Sequence, residues 1–164
     1  MNYRIDAMVA NDWPEVSAIY EEGIATGLAT FETAAPSWEQ WNEAHLEVGR
    51  LVARAKGNVI GWVALSPTSR REVYSGVIDE SIYIAASARG MGVGKSLLEA
   101  LIKESEQSGI WSLQAGIFRD NKASIALHRN CGFSVIGHQE RKALLNGVWH
   151  DVFLMERRSK VAGL

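Results

Sequence analysis

The 164-residue chain has one cysteine, Cys131, three prolines and no long apolar run. A lone cysteine excludes an intrachain disulfide and points to a reducing compartment. Without about 18 consecutive apolar residues, no membrane span is expected. The first six residues, Met1 to Asp6, lack the apolar stretch of a secretion signal. A cytoplasmic location follows as the expectation. Charge of one sign is also lacking, the net value being −2. No global field therefore draws the protein to nucleic acid or to an anionic membrane. Any anionic ligand needs a local site. No metal site is expected.

What is present fits one domain spanning 1–164 around one core. Residues 2–9 read as a first strand. Asn11-Asp12-Trp13-Pro14 starts a helix, with proline in the first turn, and Ser37 to Gln40 resembles a capping box that opens a second. Residues 51–53 and 59–65 read as a hairpin around Lys56-Gly57-Asn58, and 77–85 as the next strand. Leu97, Leu98, Leu101 and Ile102 mark a long amphipathic helix. A strand over 112–118 follows, then a helix capped by Asn121 and closed by Gly132. Residues 133–137 and 149–155 read as final strands around an Asn146-Gly147 turn. Cys131 reads as a small buried apolar residue. The fold class is α/β (α+β), with a mixed central sheet flanked by helices.

The strongest chemical signal lies between a strand and a helix. It is Arg89-Gly90-Met91-Gly92-Val93-Gly94-Lys95-Ser96. Glycines there let the backbone approach a ligand and turn its N–H groups inward. The helix adds unpaired N–H groups and the positive end of its dipole. Together they suit a phosphate or pyrophosphate. A Walker A loop needs glycine six positions before the lysine, where Arg89 stands. A dinucleotide fingerprint starting at Gly90 needs glycine where Lys95 stands. The pattern that fits is Arg/Gln-x-x-Gly-x-Gly, met by Arg89, Gly92 and Gly94.

That pattern resembles the pyrophosphate motif of the GNAT acetyltransferases. Ser81-Ile82-Tyr83-Ile84 resembles the strand whose backbone holds the pantetheine arm in that family, and Asn121 to Phe133 resembles its second cofactor segment. Within the superfamily the chain is most similar to the phosphinothricin and methionine-sulfoximine acetyltransferases. The residues that carry this likeness are Thr30-Phe31-Glu32-Thr33, Arg71-x-x-Tyr74, Ser81 to Ile84 and Asn146 to Asp151. The resemblance implies the GNAT fold, acetyl-CoA as cosubstrate, a small amino-acid-like amine as acceptor, and a homodimer. Residues implied to hold the cofactor are Ile82, Tyr83, Ile84, the loop from Arg89 to Ser96, Asn121 and Ser124.

An ammonium ion cannot attack a thioester, so a base must take a proton. In the family pattern a glutamate stands two residues before the serine, and here that position holds Asp79. Asp79 is the favoured base, and its neighbour Glu80, which must face the other way, is the reserve. His128 stands where relatives place a proton donor for the leaving sulfur; it is either that acid or a packed side chain. Arg71 and Tyr74 are candidates to grip an acidic group of the acceptor. Phe31 and Glu32 are candidates to close its pocket, and Trp149 to line the pocket or a dimer interface. Two rival readings stand beside this one: a GNAT enzyme for another amine, such as a peptide N-terminus or polyamine, and a coenzyme A-binding module without catalysis.

Overall fold

The computed structural model describes residues 1–164. Seven strands form one sheet in the order β1-β2-β3-β4-β5-β7-β6. They are β1 (Arg4–Ala7), β2 (Leu51–Ala55), β3 (Asn58–Pro67), β4 (Val77–Ile84), β5 (Ser112–Phe118), β6 (Ser134–Leu145) and β7 (Val148–Arg158). Four helices accompany them: α1 (Trp13–Ala25), α2 (Trp38–Ala44), α3 (Val93–Gln107) and α4 (Lys122–Asn130). Every neighbouring pair is antiparallel except β4 and β5. Those two are joined through α3, the crossover that a parallel pair requires.

The expected starts and turns form, with one correction: a capping Asn or Asp is expected at the start of α1, but Asp12 makes no capping bond there, because its carboxylate is taken by Val9 N and Arg54. Pro14 sits in the first turn of α1. Ser37 Oγ accepts from Gln40 N at 3.2 Å, and Gln40 Oε1 accepts from Ser37 N at 3.1 Å, closing the box at α2. The two tight hairpins turn on Lys56-Gly57 and Asn146-Gly147, all four residues having positive φ. That conformation matches the twist of the flanking strands. The last hairpin is longer than expected: β6 continues from Ser134 through Gln139, Glu140, Arg141 and Lys142 to Leu145, and β7 extends to Arg158. The polar run stays in the sheet because two register shifts, at Val135/Gly137 and Gln139/Ala143, take up the extra residues.

Alternation on β3 decides which helix covers which face. Trp62 stacks near Tyr20 of α1 and meets Trp41 of α2 edge-on. Gly61 and Leu65 face α3, against Leu97 and Leu101. Helix α4 joins α3, its His128 meeting Glu80, the residue opposite Leu65. So α1 and α2 cover one face, and α3 and α4 the other. A cluster of 28 buried residues runs through both layers. Leu97, Leu98 and Leu101 are fully buried, each contributing about 2–3 kcal/mol relative to exposure. No helix is long and apolar enough to cross a membrane.

Candidate active site

Strands β4 and β5 are partners for three residue pairs only: Val77–Ser112, Ile78–Leu113 and Asp79–Gln114. Beyond Asp79 they part. From Glu80 to Ile84, β4 is paired on its β3 side alone, and from Ala115 to Phe118, β5 is paired on its β7 side alone. The two inner edges therefore present backbone N–H and C=O groups that no ladder satisfies. Two cavities that share lining residues occupy the wedge. The larger, of about 550 Å³, runs past Ile82, Ile84, Arg89, Gly92, Lys95 and Asn121. The smaller, of about 90 Å³, lies where the strands part, against Glu80, Ser81, Phe118 and His128. Tyr83, Asn121 and Ser124 line both.

The larger cavity has the features of an anion cradle. Gly92 caps α3 with φ of 82° and offers no side chain to its first turn. A Cβ built on Gly90 or Gly92 meets no protein atom within 4 Å, so the loop borders open space and not packed protein. The donors left free at the start of α3 suit a diphosphate. Of the residues predicted to hold the cofactor, Ile82, Tyr83, Ile84, Arg89, Gly90, Gly92, Val93, Gly94, Lys95, Asn121 and Ser124 line the cavity. Met91 and Ser96 do not. Met91 is half exposed. The Ser96 hydroxyl is engaged by Tyr3 of the preceding segment at 2.7 Å, a contact across 93 residues. A cavity of this length, an uncapped helix start and a free strand edge together fit a nucleotide diphosphate with a long amide-bearing arm, which is coenzyme A.

On β4 the structure separates the two candidate bases. Asp79 pairs opposite Ser66 and faces the α1 side of the sheet. Burial pushes its carboxyl up, against the nearby Thr68 hydroxyl, with the Glu80 charge adding to the rise. It lines neither cavity. Glu80 points to the α4 side and into the smaller cavity, buried to 7% exposure. Its Oε1 meets His128 Nε2 in a short ion pair. Its Oε2 is buried without a partner. His128 is 1% exposed, and its Nδ1 lies 2.7 Å from the Ser124 carbonyl oxygen. Burial disfavours charge on this ring, but the facing Glu80 carboxylate and the Ser124 carbonyl outweigh it, and the pKa is raised. Asn121 caps α4, accepting from Ser124 N at 3.2 Å, and also donates to the Leu28 carbonyl at 3.3 Å. That second bond ties the α1–α2 loop to the cleft.

The predicted acceptor residues divide into two groups. Phe31 packs on Phe118 at 4.6 Å between ring centroids and meets His150 edge-on, behind a residue of the smaller cavity's lining without lining either cavity itself. Glu32 is exposed on the same loop, its charge felt by the Tyr20 hydroxyl. Arg71 and Tyr74 stack on each other at 5.4 Å, both exposed, and line neither cavity. Their loop joins the paired end of β4, while the cleft opens at the other end. Trp149 is 58% exposed at the tip of the β6–β7 hairpin and likewise lines neither. Cys131 is buried, and burial raises its thiol pKa. No group of three His, Cys, Asp or Glu side chains is placed to hold a metal ion.

Several lining residues carried no sequence signal. Gly23, Leu28 and Ala29 reach the cavities from α1 and the loop after it. Gly23 was legible only as a break in helical propensity. An added Cβ there would come within 2.6 Å of the Tyr83 ring, so glycine is what lets α1 approach β4.

Comparison with known proteins matches residues 13–133 to the acetyltransferase (GNAT) family. Over 154 residues the chain is 33% identical to a phosphinothricin N-acetyltransferase of Alcaligenes faecalis, covering 90% of this chain and 78% of that one. It is also 33% identical over 157 residues to an L-methionine sulfoximine/L-methionine sulfone acetyltransferase of Pseudomonas paraeruginosa, covering 92% and 91%. A Sinorhizobium meliloti phosphinothricin acetyltransferase, solved in complex with acetyl-CoA, superposes with a TM-score of 0.90 at 30% identity, covering 99% and 91%.

Proposed function

Since this chain belongs to the GNAT acetyltransferase family, and is thus an acetyl-CoA-dependent N-acetyltransferase, we propose that it acetylates the amine of a small amino-acid-like molecule of the phosphinothricin or methionine sulfoximine type. The observation that carries this reading is the wedge beyond Asp79, a free strand edge leading from an uncapped helix start to a small cavity with a buried carboxylate. The two named relatives of that substrate type support the choice of acceptor.

Acetyl-CoA supplies an acetyl thioester. The glycines at 90 and 92 and the start of α3 hold its diphosphate, and the inner edge of β4 holds the amide groups of its arm. The N–H of Ile84, which points away from β3 onto that edge, receives the developing oxyanion. The acceptor enters under the α1–α2 loop, beside the packed rings of Phe31 and Phe118, and its nitrogen attacks directly. A small cavity of about 90 Å³ and a loop pinned by Phe31 and Asn121 favour a compact acceptor over a peptide. The exposed Leu144, Val148 and Trp149 at the hairpin tip support a homodimer, and light scattering measures its mass.

The test is an acceptor panel with acetyl-CoA, following thiol release. Methionine sulfoximine and phosphinothricin should be acetylated with kcat/KM at least about tenfold above spermidine and an Ala-terminated peptide. Preference for the peptide or the polyamine moves the enzyme to another acceptor class. Coenzyme A binding without thiol release from any amine makes it a binding module.

A further inference from the structure

Tyr3 stands just before β1 and lines neither cavity, yet its hydroxyl reaches the first turn of α3. The hydroxyl lies 3.3 Å from the Gly92 carbonyl oxygen, across 89 residues of chain, and 2.7 Å from Ser96 Oγ. A carbonyl only accepts, and a phenol has one proton to give. Tyr3 therefore donates to the Gly92 oxygen and accepts from the Ser96 hydroxyl. Ser96 N donates to the same Gly92 oxygen at 3.2 Å. The three bonds close a ring over the turn. The aromatic ring of Tyr3 packs against the main core, so the hydroxyl that completes the ring is itself held in place.

What this ring fixes is the peptide between Gly92 and Val93. A trans peptide is planar, and its N–H points opposite to its C=O. With the Gly92 oxygen held by Tyr3 and Ser96, the Val93 N–H points out of the start of α3, where Gly92 and Val93 both line the larger cavity. That N–H has no acceptor within the helix. Gly92 has φ of 82° and no side chain, so nothing of its own resists a rotation of this peptide plane. The restraint comes from outside the loop.

We propose that Tyr3 is a positioning residue for the cofactor: its hydroxyl locks the Gly92–Val93 peptide with the N–H aimed at the diphosphate of acetyl-CoA before that ligand arrives. This rests on the reading of the loop as a diphosphate cradle and names what preorganises it. A donor set already in place binds more tightly, because the ligand does not have to order it. Ser96 then serves the cofactor through Tyr3, and its hydroxyl does not contact the ligand.

The test uses Tyr3→Phe in the full chain, which keeps the ring in the core and removes only the hydroxyl. The Kd of acetyl-CoA by calorimetry should rise about three- to tenfold, the worth of one hydrogen bond. The KM for acetyl-CoA should rise with it, while kcat at saturating donor stays within about twofold. S-acetylpantetheine has the thioester and the amide arm but no diphosphate. Its kcat/KM should be the same within about twofold in wild type and Tyr3→Phe, a result that a general loosening of the fold would not give. Ser96→Ala leaves the Tyr3 bond to Gly92 and should weaken acetyl-CoA less than Tyr3→Phe does. The losses should not add in the double variant, because both act on one ring. An unchanged acetyl-CoA Kd in Tyr3→Phe overturns the proposal, and so does an equal loss with both donors. If wild-type protein uses the two donors equally well, the cradle reading itself fails and takes the proposal with it.

Discussion

Two buried ionic clusters in this molecule are built from similar parts and are finished differently. Far from the cleft, Arg54 of β2 grips Asp12 with two bonds of 3.0 Å and reaches Asp6 at 3.1 Å. Val9 N donates to the same Asp12 carboxylate at 3.0 Å, so both its oxygens are used. At the cleft, Glu80 has one oxygen on His128 and the other on nothing. A closed cluster fixes where the chain from β1 to α1 meets β2. An open one leaves a buried acceptor unpaired beside the cleft. The comparison teaches that similar parts can be closed into a joint between strands or left with one acceptor to spare.

The comparison is broken most severely by replacing Glu80 and His128 together with leucine. Turnover should fall at least about 100-fold, while Tm should hold or rise, because apolar side chains of similar volume avoid desolvating two charges. A large fall in Tm would mean that the pair serves stability after all. Asp12→Ala should show the reverse pattern. It leaves the Arg54 guanidinium half buried without its main partner, costing roughly 2 kcal/mol or about 4–8 °C in Tm, with kcat nearly unchanged.

pH sharpens the contrast, because the two clusters titrate with opposite sign. Burial pushes the Asp12 carboxyl up, but Arg54 and the Val9 N–H outweigh it, leaving it below 3.8. Its stabilisation is present above pH 3.8 and is lost as pH falls through the lowered value. The His128 ring is raised above 6.5. Its contribution is complete below pH 6.5 and is lost as pH rises through the raised value. Calorimetric scans should therefore show Asp12→Asn flattening the acid side of the wild-type Tm profile and His128→Gln flattening the alkaline side. The smallest effect belongs to a third, surface cluster, where Asp151 accepts from His138, Arg119 and the Arg141 N–H. Asp151→Asn should leave the urea midpoint nearly where it is in the wild-type protein, since exposed pairs contribute little.

Much of this arrangement was legible before any coordinates. The run from Arg89 to Lys95 was marked as a candidate anion site because glycine, a helix start and the failure of two other phosphate motifs converge on the same residues, and most of them line the larger cavity. Helices α1 and α2 were marked by Pro14 and Ser37, and the hairpins by Lys56-Gly57 and Asn146-Gly147, all local effects. What depends on distant partners was hidden. Nothing near Ser96 reveals that Tyr3 holds its hydroxyl. Alternation says that Asp79 and Glu80 face opposite ways, but not which way the cleft lies; that is decided by where β4 and β5 part. The family pattern pointed to Asp79, and the cavity is lined by Glu80. The polar stretch from Gln139 to Lys142 fell outside both expected strands because its bulges break the period of two.

Those bulges have a consequence for the crowded solution in which an enzyme works. An open sheet has two rims, and each is a template on which a foreign strand could grow. Here β1 offers four residues carrying Arg4 and Asp6, and β6 is interrupted twice and studded with Glu140, Arg141 and Lys142. Neither rim presents a flat, uncharged ladder, so partial unfolding should lead back to the native sheet more readily than into fibrils.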